Sequence, residues 1–166
     1  MVLAYLRLDS ESTDYVIREC ALDDVVRLAV RRFAGEFIAR KLSLEYAPLN
    51  TRVLTDEKWL GFVVEQVLSN ALKYTREGGV SIYMEPPATL CIRDTGIGIA
   101  PDALPRIFEN GFTGINGRID QRATGIGLHL CRRICRNLGH GITAESEHDR
   151  GTTIRIDLSR NDFKVE

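Results

Sequence analysis

The sequence predicts an α+β fold, a two-layer α/β sandwich in which about three helices cover one face of a mixed, mostly antiparallel sheet. Two observations support this prediction. Apolar residues recur at helical spacing in residues 22–39, 55–75 and 125–138. Short β-prone segments come from both ends of the chain and are separated by glycine and proline, as in hairpins. Since strands from both ends must share a sheet, one helical layer on a mixed sheet is the expected arrangement.

The first half of the chain is expected to contain three strands and two helices. Residues 15–20 are β-prone, and residues 22–39 have helical periodicity. Residues 42–46 alternate in polarity, and residues 52–54 follow after a Pro-Leu-Asn turn, which predicts a hairpin. The second helix covers residues 55–75 and ends before two glycines.

The second half is expected to contain two hairpins, a short helix at residues 101–108 and a longer helix at residues 125–138. Residues 110–124 are rich in glycine and polar residues without periodicity, which predicts a mobile loop. The strands of the two hairpins are predicted at residues 80–84, 88–93, 142–146 and 152–158.

Composition restricts the classes of function. The 166 residues with 44% hydrophobic content fit one domain with a buried core, and a formal net charge of -1 gives no global field toward nucleic acid or an anionic membrane. No apolar run reaches the roughly 18 residues that a membrane helix needs, and residues 1–4 lack the charged start and cleavage pattern expected of a secretion signal. The cysteines are expected to be reduced, and Cys131 and Cys135 lie on an apolar stripe, which favours packing over metal ligation.

The second helix has two faces of different chemistry. Thr55 or Asp56 would cap its first turn. At about 100° per residue, Gln66, Asn70 and Lys73 fall in a narrow arc apart from the apolar side. One side is therefore expected to face the core, and the other to carry polar chemistry.

Asp94 and the two glycines that follow it indicate a nucleotide site. A carboxylate at a strand end accepts a hydrogen bond from an exocyclic amine, and Gly96 and Gly98 allow close approach of the backbone. An adenine satisfies both conditions. An ordinary Asp-Thr-Gly turn is the alternative, because short glycine motifs alone are unspecific.

The end of the second helix supplies chemistry that suits a nucleotide. Asn70 offers a neutral oxygen to Mg²⁺, which is typically shared with phosphates. Lys73 offers a point charge to phosphate oxygens, and Tyr74 offers a ring edge to a base. A solvated helix end is the alternative interpretation of these three residues.

Four segments stand in a fixed order, at residues 66–74, 94–98, 106–112 and 124–128. Together they resemble the N box, first glycine box, F box and second glycine box of the histidine kinase catalytic domain, in the gyrase-type ATPase superfamily. The resemblance runs from about Tyr15 to Leu158. Residues 55–59 and 112–114 further resemble bacterial kinases that sense peptide antibiotics beside an ABC transporter.

The resemblance implies ATP and Mg²⁺ as cofactors. Asp94 would accept from the adenine amine and discriminate against guanine, and Thr153 resembles the threonine that anchors adenine through water. Gly125 and Gly127 would leave N–H groups free toward the triphosphate at a helix start. The expected catalytic residues are Asn70 and Lys73, with Asn70 as Mg²⁺ ligand, and the expected ATP-binding residues are Gln66, Asn70, Lys73, Tyr74, Asp94, Gly96, Gly98, Ile99, Phe112, Gly125, Ile126, Gly127, Leu128 and Thr153.

Residues 110–124 correspond to the ATP lid of the resembled family. Arg118 and Arg122 either reach the phosphates or remain solvated in a flexible loop. Phe108 and Phe112 resemble F-box residues, and we expect them to pack and to position the lid.

The sequence departs from the resembled family at three places. Gln66 stands where these kinases commonly have Asn and gyrase-like ATPases have Glu, so efficient activation of water is not expected. Glu65 lies about 100° around the helix and receives no role as a base. Ala123 replaces the first glycine of the second glycine box, and residues 113–114 replace an arginine.

The phosphoacceptor is expected outside the domain. Histidine kinases phosphorylate a histidine on a helical hairpin, and none of His129, His140 and His148 has that context. We expect residues 1–12 to be the remnant of an upstream dimerisation helix and linker, residues 13–160 to be the catalytic domain, and residues 161–166 to be a tail.

The resemblance implies a protein-histidine kinase domain of a two-component system that transfers the γ-phosphoryl of ATP and turns ATP over poorly in isolation. It implies as partners the histidine-containing dimerisation domain of the same kinase and a response regulator, with no nucleic acid. It places the domain on the cytoplasmic side of a membrane-bound homodimer beside an ABC transporter. The alternatives are a stand-alone gyrase-type ATPase and a nucleotide-sensing interaction module.

Overall fold

A computed structural model describes residues 14–109 and 127–159 of the chain. In these ranges the protein is an α/β sandwich with a mixed sheet and three α-helices, as predicted. The strands are β1 (Arg18–Ala21), β2 (Ser43–Tyr46), β3 (Arg52–Thr55), β4 (Gly79–Glu85), β5 (Thr89–Asp94), β6 (Gly141–Glu147) and β7 (Gly151–Asp157). The helices are α1 (Leu22–Ala39), α2 (Glu57–Tyr74) and α3 (Gly127–Asn137), with a short 3-10 helix at Leu104–Arg106.

The main sheet has five strands in the order β2-β4-β5-β7-β6. β2 runs parallel to β4, whereas the other neighbours are antiparallel. The predicted hairpins β4–β5 and β6–β7 are both confirmed. β1 and β3 form a separate antiparallel pair.

The predicted hairpin of residues 42–46 with 52–54 is wrong, because β2 and β3 belong to different sheets. The connection between them is held by Asp23, in the first turn of α1. Its carboxylate accepts hydrogen bonds from the backbone N–H of Leu49 at 3.0 Å and of Asn50 at 3.1 Å, and from the Tyr46 hydroxyl. These bonds pull the connection onto α1, so that the two strands leave it toward different partners.

The core lies between the three helices and one face of the main sheet. In a strand, alternate side chains share a face, and directly paired residues of neighbouring strands point to the same side. Burying a large aliphatic side chain stabilises the fold by about 1.5–3 kcal/mol. Fully buried members of this core are Ile82, Leu90, Ile92 and Ile156 of the sheet, Leu60, Val64 and Leu68 of α2, and Leu130, Ile134 and Cys135 of α3.

The opposite face of the sheet is polar, and no helix of residues 14–109 or 127–159 covers it. Arg155 of β7 lies between two carboxylates, with Nε 2.8 Å from Glu85 Oε1 and a guanidinium nitrogen 2.6 Å from Glu145 Oε2. Cys91 is buried beneath this group, and burial raises the pKa of its thiol to about 12. All four cysteines are free and buried.

Both ends of α2 are fixed by side chains. Asp56 caps the first turn, since its Oδ1 accepts from the Trp59 N–H at 3.1 Å. At the other end Arg40, just after α1, donates to the carbonyls of Leu72 and Thr75. The last turn of α2, which carries the polar residues predicted to bind ligand, is therefore tied to α1.

The predicted short helix at residues 101–108 is reduced to the 3-10 helix Leu104–Arg106. Pro101 and Pro105 provide no backbone N–H, which prevents an extended α-helical ladder in this segment. Within the ranges that the structure covers, no helix combines the length and hydropathy that a bilayer span requires.

Candidate functional site

Asp94, the last residue of β5, lies at the centre of the candidate site and is 8% exposed. Its Oδ1 accepts from the backbone N–H of Gly96 at 2.8 Å and of Thr152 at 3.2 Å. Burial raises the pKa of this carboxyl, and the two backbone bonds oppose that rise without cancelling it. Because both bonds end on Oδ1, Oδ2 receives no hydrogen bond from the described residues and is available to another donor.

The loop after Asp94 is fixed on two sides by backbone. The Ile97 N–H donates to the Tyr74 carbonyl at the end of α2, at 3.1 Å. A Cβ on Gly96 would lie 2.4 Å from that same carbonyl oxygen. Gly98 has φ +72°, and a Cβ there would lie 2.1 Å from the carbonyl oxygen of Glu147. Both glycines of this motif are thus required by the approach of the protein's own backbone.

The register of β5 and β7 decides which threonine faces the site. Asp94 pairs with Thr152, whereas Arg93 pairs with Thr153. Since directly paired residues point to one side of a sheet, Thr152 shares the face of Asp94, and Thr153 lies on the opposite face. The structure therefore does not bring the predicted Thr153 to Asp94 and places Thr152 there instead.

Ser146 of β6 joins this cluster and was missed from the sequence. Its hydroxyl lies 2.8 Å from Thr152 Oγ1, accepts from the Ile99 N–H at 2.7 Å, and donates to the Gly151 carbonyl at 2.9 Å. The predicted residue Ile99 is thereby held against the β6–β7 hairpin. Only the strand register reveals Ser146, because it lies far along the chain from Asp94.

The polar arc of α2 lies beside the start of α3. Gln66, Asn70 and Lys73 are partly buried, and a Cβ on Gly127 would lie 2.9 Å from Gln66 Oε1. The Lys73 Nζ lies 6.0 Å from the centre of the Tyr74 ring. The structure thus brings the N box and the start of the second glycine-box helix together.

Glu65 is held on another side of α2. Its Oε2 lies 3.2 Å from a guanidinium nitrogen of Arg32 in α1. The carboxylate next in sequence to Gln66 is therefore directed toward α1.

Several predicted site residues lie outside the described residues: Phe112, Gly125 and Ile126, the lid arginines Arg118 and Arg122, and the departures at Ala123 and residues 113–114. Leu128 is described and lies partly buried in the first turn of α3. Phe108 packs against the core, with the Arg132 guanidinium 5.8 Å from its ring centre.

None of the three histidines lies on a helical hairpin. His129 belongs to α3, and the exposed His148 lies in the β6–β7 turn. His140 is buried, with Nε2 2.9 Å from the hydroxyl of Thr55.

Comparison with known proteins supports the interpretation of this geometry. Residues 55–162 match the family described as histidine kinase-, DNA gyrase B-, and HSP90-like ATPase. The sensor histidine kinase YxdK of Bacillus subtilis is 31% identical over 90% of this chain and 48% of its own. The sensor histidine kinase GraS of Staphylococcus haemolyticus is 36% identical over 89% of this chain and 44% of its own.

A solved structure shares the fold. The crystal structure of full-length ShkA in complex with AMPPNP superposes with a TM-score of 0.79 at 24% identity, over 95% of this chain and 34% of that chain. The chain thus belongs to the histidine kinase-, DNA gyrase B- and HSP90-like ATPase family, and within it to the catalytic, ATP-binding domains of sensor histidine kinases. It spans about half the length of the curated relatives that it matches.

Proposed function

We propose that this domain binds Mg²⁺-ATP and presents the γ-phosphoryl group to a histidine of a dimerisation domain of the same kinase. One observation carries the proposal: Asp94 is buried with Oδ1 saturated and Oδ2 available, at the end of the loop that Tyr74 and Ser146 hold in place. Such a carboxylate suits a neutral donor that is fixed in position, and an adenine amine is one.

The adenine end of the site is formed by β5 and β7. Asp94 Oδ2 accepts from the exocyclic amine, and Thr152 takes the water-bridged position that the sequence assigned to Thr153. The support is the pairing of Thr152 with Asp94 and the 3.2 Å bond from its N–H to Oδ1. A guanine carbonyl at the same edge would leave the carboxylate without a donor, so ATP is preferred over GTP.

The phosphate end is formed by α2 and the start of α3. Asn70 supplies a neutral oxygen for Mg²⁺, and Lys73 supplies a positive charge for phosphate oxygens. The described residues hold no group of three or more His, Cys, Asp or Glu that could bind a metal ion. A single protein oxygen would suffice for Mg²⁺, which usually retains several waters and phosphate oxygens as ligands; when bound, the ion would neutralise charge on the triphosphate.

The chemistry of Gln66 favours phosphoryl transfer over hydrolysis. An amide cannot take a proton from water, whereas an imidazole acceptor is itself a nucleophile and needs no such base at neutral pH. The domain's contribution is then positioning and charge neutralisation by Lys73 and the free N–H groups at the start of α3. We expect slow hydrolysis of ATP by the domain alone.

The partners and setting of the whole protein are part of the proposal. We propose residues 13–160 as the catalytic domain, preceded at residues 1–12 by the remnant of a dimerisation helix and a linker, and followed by a tail at residues 161–166. The full protein is a membrane-bound homodimer with this domain on the cytoplasmic side, and it passes the phosphoryl group to a response regulator. Residues 55–59 and 112–114 resemble those of kinases that sense peptide antibiotics. This likeness supports a peptide antibiotic as the stimulus and an ABC transporter as a partner.

The proposal is tested by phosphotransfer in trans. The domain is mixed with a separately expressed histidine-bearing helical hairpin from a sensor kinase such as YxdK and with ATP labelled at the γ-phosphate. We expect label on the hairpin that resists base and is lost in acid, as phosphohistidine is, and that disappears with Asn70→Ala. Ser81→Ala, on the polar face of the sheet, is the matched control. Absence of labelled hairpin at nucleotide concentrations that saturate the domain would refute the transfer.

A further inference from the structure

We propose that Ser146 is a positioning residue for base selectivity, because it fixes the Thr152 hydroxyl as a hydrogen-bond acceptor toward the ligand. This inference rests on the proposed binding of ATP at Asp94. Neither residue was singled out by the sequence motifs, and both lie on the Asp94 face of the sheet.

The direction of each hydrogen bond at Ser146 follows from counting protons. The hydroxyl oxygen contacts the Gly151 carbonyl at 2.9 Å, the Ile99 N–H at 2.7 Å and Thr152 Oγ1 at 2.8 Å. A carbonyl only accepts, so the single Ser146 proton is directed to Gly151. An N–H only donates, so Ser146 accepts from Ile99. We therefore assign Thr152 as the donor of the remaining bond, which gives Ser146 one bond donated and two accepted.

The consequence for Thr152 is a loss of donor capacity toward the ligand. Its backbone N–H is directed to Asp94 Oδ1 at 3.2 Å, and its hydroxyl proton is directed to Ser146. What remains on this side chain is lone-pair density. Together with Asp94 Oδ2, the base-recognition end offers two acceptors.

Two acceptors match a group with two N–H bonds. An exocyclic amine gives one proton to Asp94 Oδ2 and the other to Thr152, directly or through one water. A carbonyl at the same edge of the base, as in hypoxanthine, would meet two acceptors and no donor. If Ser146 were removed, the Thr152 hydroxyl would rotate and donate to that carbonyl, and discrimination would weaken.

The test compares ATP with inosine triphosphate, in which a carbonyl replaces the amine. Affinities for both nucleotides are measured by titration calorimetry on the wild-type chain, Ser146→Ala, Thr152→Val and the double variant. We expect Ser146→Ala to lower the ATP preference about tenfold, the order of one hydrogen bond. In the Thr152→Val background, Ser146→Ala should leave the preference unchanged, because it acts through that hydroxyl.

Three controls separate selectivity from structure. The ATP-to-ITP affinity ratio is measured on one protein sample, so a smaller fraction of folded protein changes both affinities equally and leaves the ratio unaffected. Thr153→Val, on the opposite face of the sheet, should leave this ratio at the wild-type value. Ser146→Thr, which keeps the hydroxyl, should also retain the ratio. If Ser146→Ala fails to fold, Ser146→Cys replaces it, since a thiol of similar size bonds weakly.

Each outcome decides a different claim. A wild-type preference that survives Ser146→Ala overturns this inference and leaves the proposed function standing. An equal loss of preference in the Thr152→Val background also overturns it, because Ser146 would then act through the loop at Ile99. A wild-type chain that binds neither nucleotide overturns the proposed function and this inference together.

Discussion

Replacing Asp94 with asparagine separates ligand recognition from folding. The asparagine carbonyl can still accept the two backbone bonds that Oδ1 accepts from Gly96 and Thr152, at 2.8 Å and 3.2 Å. The atom in place of Oδ2 becomes a donor that faces the adenine amine. A hydrogen bond to a charged group contributes about 1.5–3 kcal/mol, and each 1.4 kcal/mol is about tenfold in affinity. We therefore expect ATP to bind roughly 10- to 150-fold more weakly.

Stability is expected to respond in the opposite sense. Burial raises the pKa of Asp94, so the folded state disfavours the carboxylate above that pKa, and a neutral asparagine removes this penalty. At pH 7 the thermal midpoint of Asp94→Asn should equal or exceed that of the wild type. Titration calorimetry with ATP and thermal unfolding by circular dichroism measure the two effects. Unchanged affinity would show that Asp94 is only a turn residue, and a lowered midpoint would show that its charge stabilises the fold.

Three further predictions concern pH, a glycine and an arginine. ATP affinity should fall on acidification, because Asp94 becomes protonated. Since the pKa of Asp94 is raised, the fall should begin at a higher pH than for an ordinary aspartate. Asp94→Asn should show no such fall, and identical pH profiles of variant and wild type would refute this prediction. Gly98→Ala should lower the free energy of unfolding in urea by about 2 kcal/mol or more, since φ is +72° and the new Cβ would meet a carbonyl at 2.1 Å. Gly35→Ala in α1, where no atom lies within 4 Å of the new Cβ, is the control and should be neutral or stabilising; similar effects of the two would contradict the account. Arg40→Gln should lower the free energy of unfolding by about 1–3 kcal/mol and weaken ATP binding, because it leaves two carbonyls at the end of α2 without their donor. Arg32→Gln, which loses only an exposed ion pair, should lower the free energy of unfolding by less than about 1 kcal/mol. An equal loss of stability in the two variants would count against the role of Arg40.

The fold class and the positions of the three α-helices were predictable because their signals are local. Helical periodicity predicts a helix over residues 55–75, close to the observed α2 at Glu57–Tyr74, and the order of the four motifs indicates the family. The cap was narrowed to Thr55 or Asp56, and the structure selects Asp56, since Thr55 bonds to His140 instead. That contact joins segments far apart in the chain, so the sequence carries no local sign of it.

Strand pairing was where sequence reasoning failed, because register depends on contacts between distant segments. The segments at residues 42–46 and 52–54 have the pattern of a hairpin, yet Asp23 holds their connection and directs them to different sheets. Thr152 and Thr153 are adjacent in β7 and lie on opposite faces of the sheet. A shift of one residue in the pairing of β5 with β7 would place Thr153 beside Asp94 instead of Thr152. The place of Ser146 at the site follows from the same register.

The two glycines after Asp94 show a further difference between motif and mechanism. The sequence assigns them to close approach of a bound base, whereas the structure also requires them for close approach of the Tyr74 and Glu147 carbonyls. One motif thus serves folding and the proposed recognition together.

The central claim is that a buried carboxylate selects adenine while an amide on α2 supports the metal. Titration of the wild-type chain with ATP and GTP, each with and without Mg²⁺, tests it most directly. We expect ATP to bind at least tenfold more tightly than GTP, consistent with one unmatched hydrogen bond, and Mg²⁺ to strengthen ATP binding. Equal affinities for the two nucleotides, or ATP binding that is indifferent to Mg²⁺, would contradict the account.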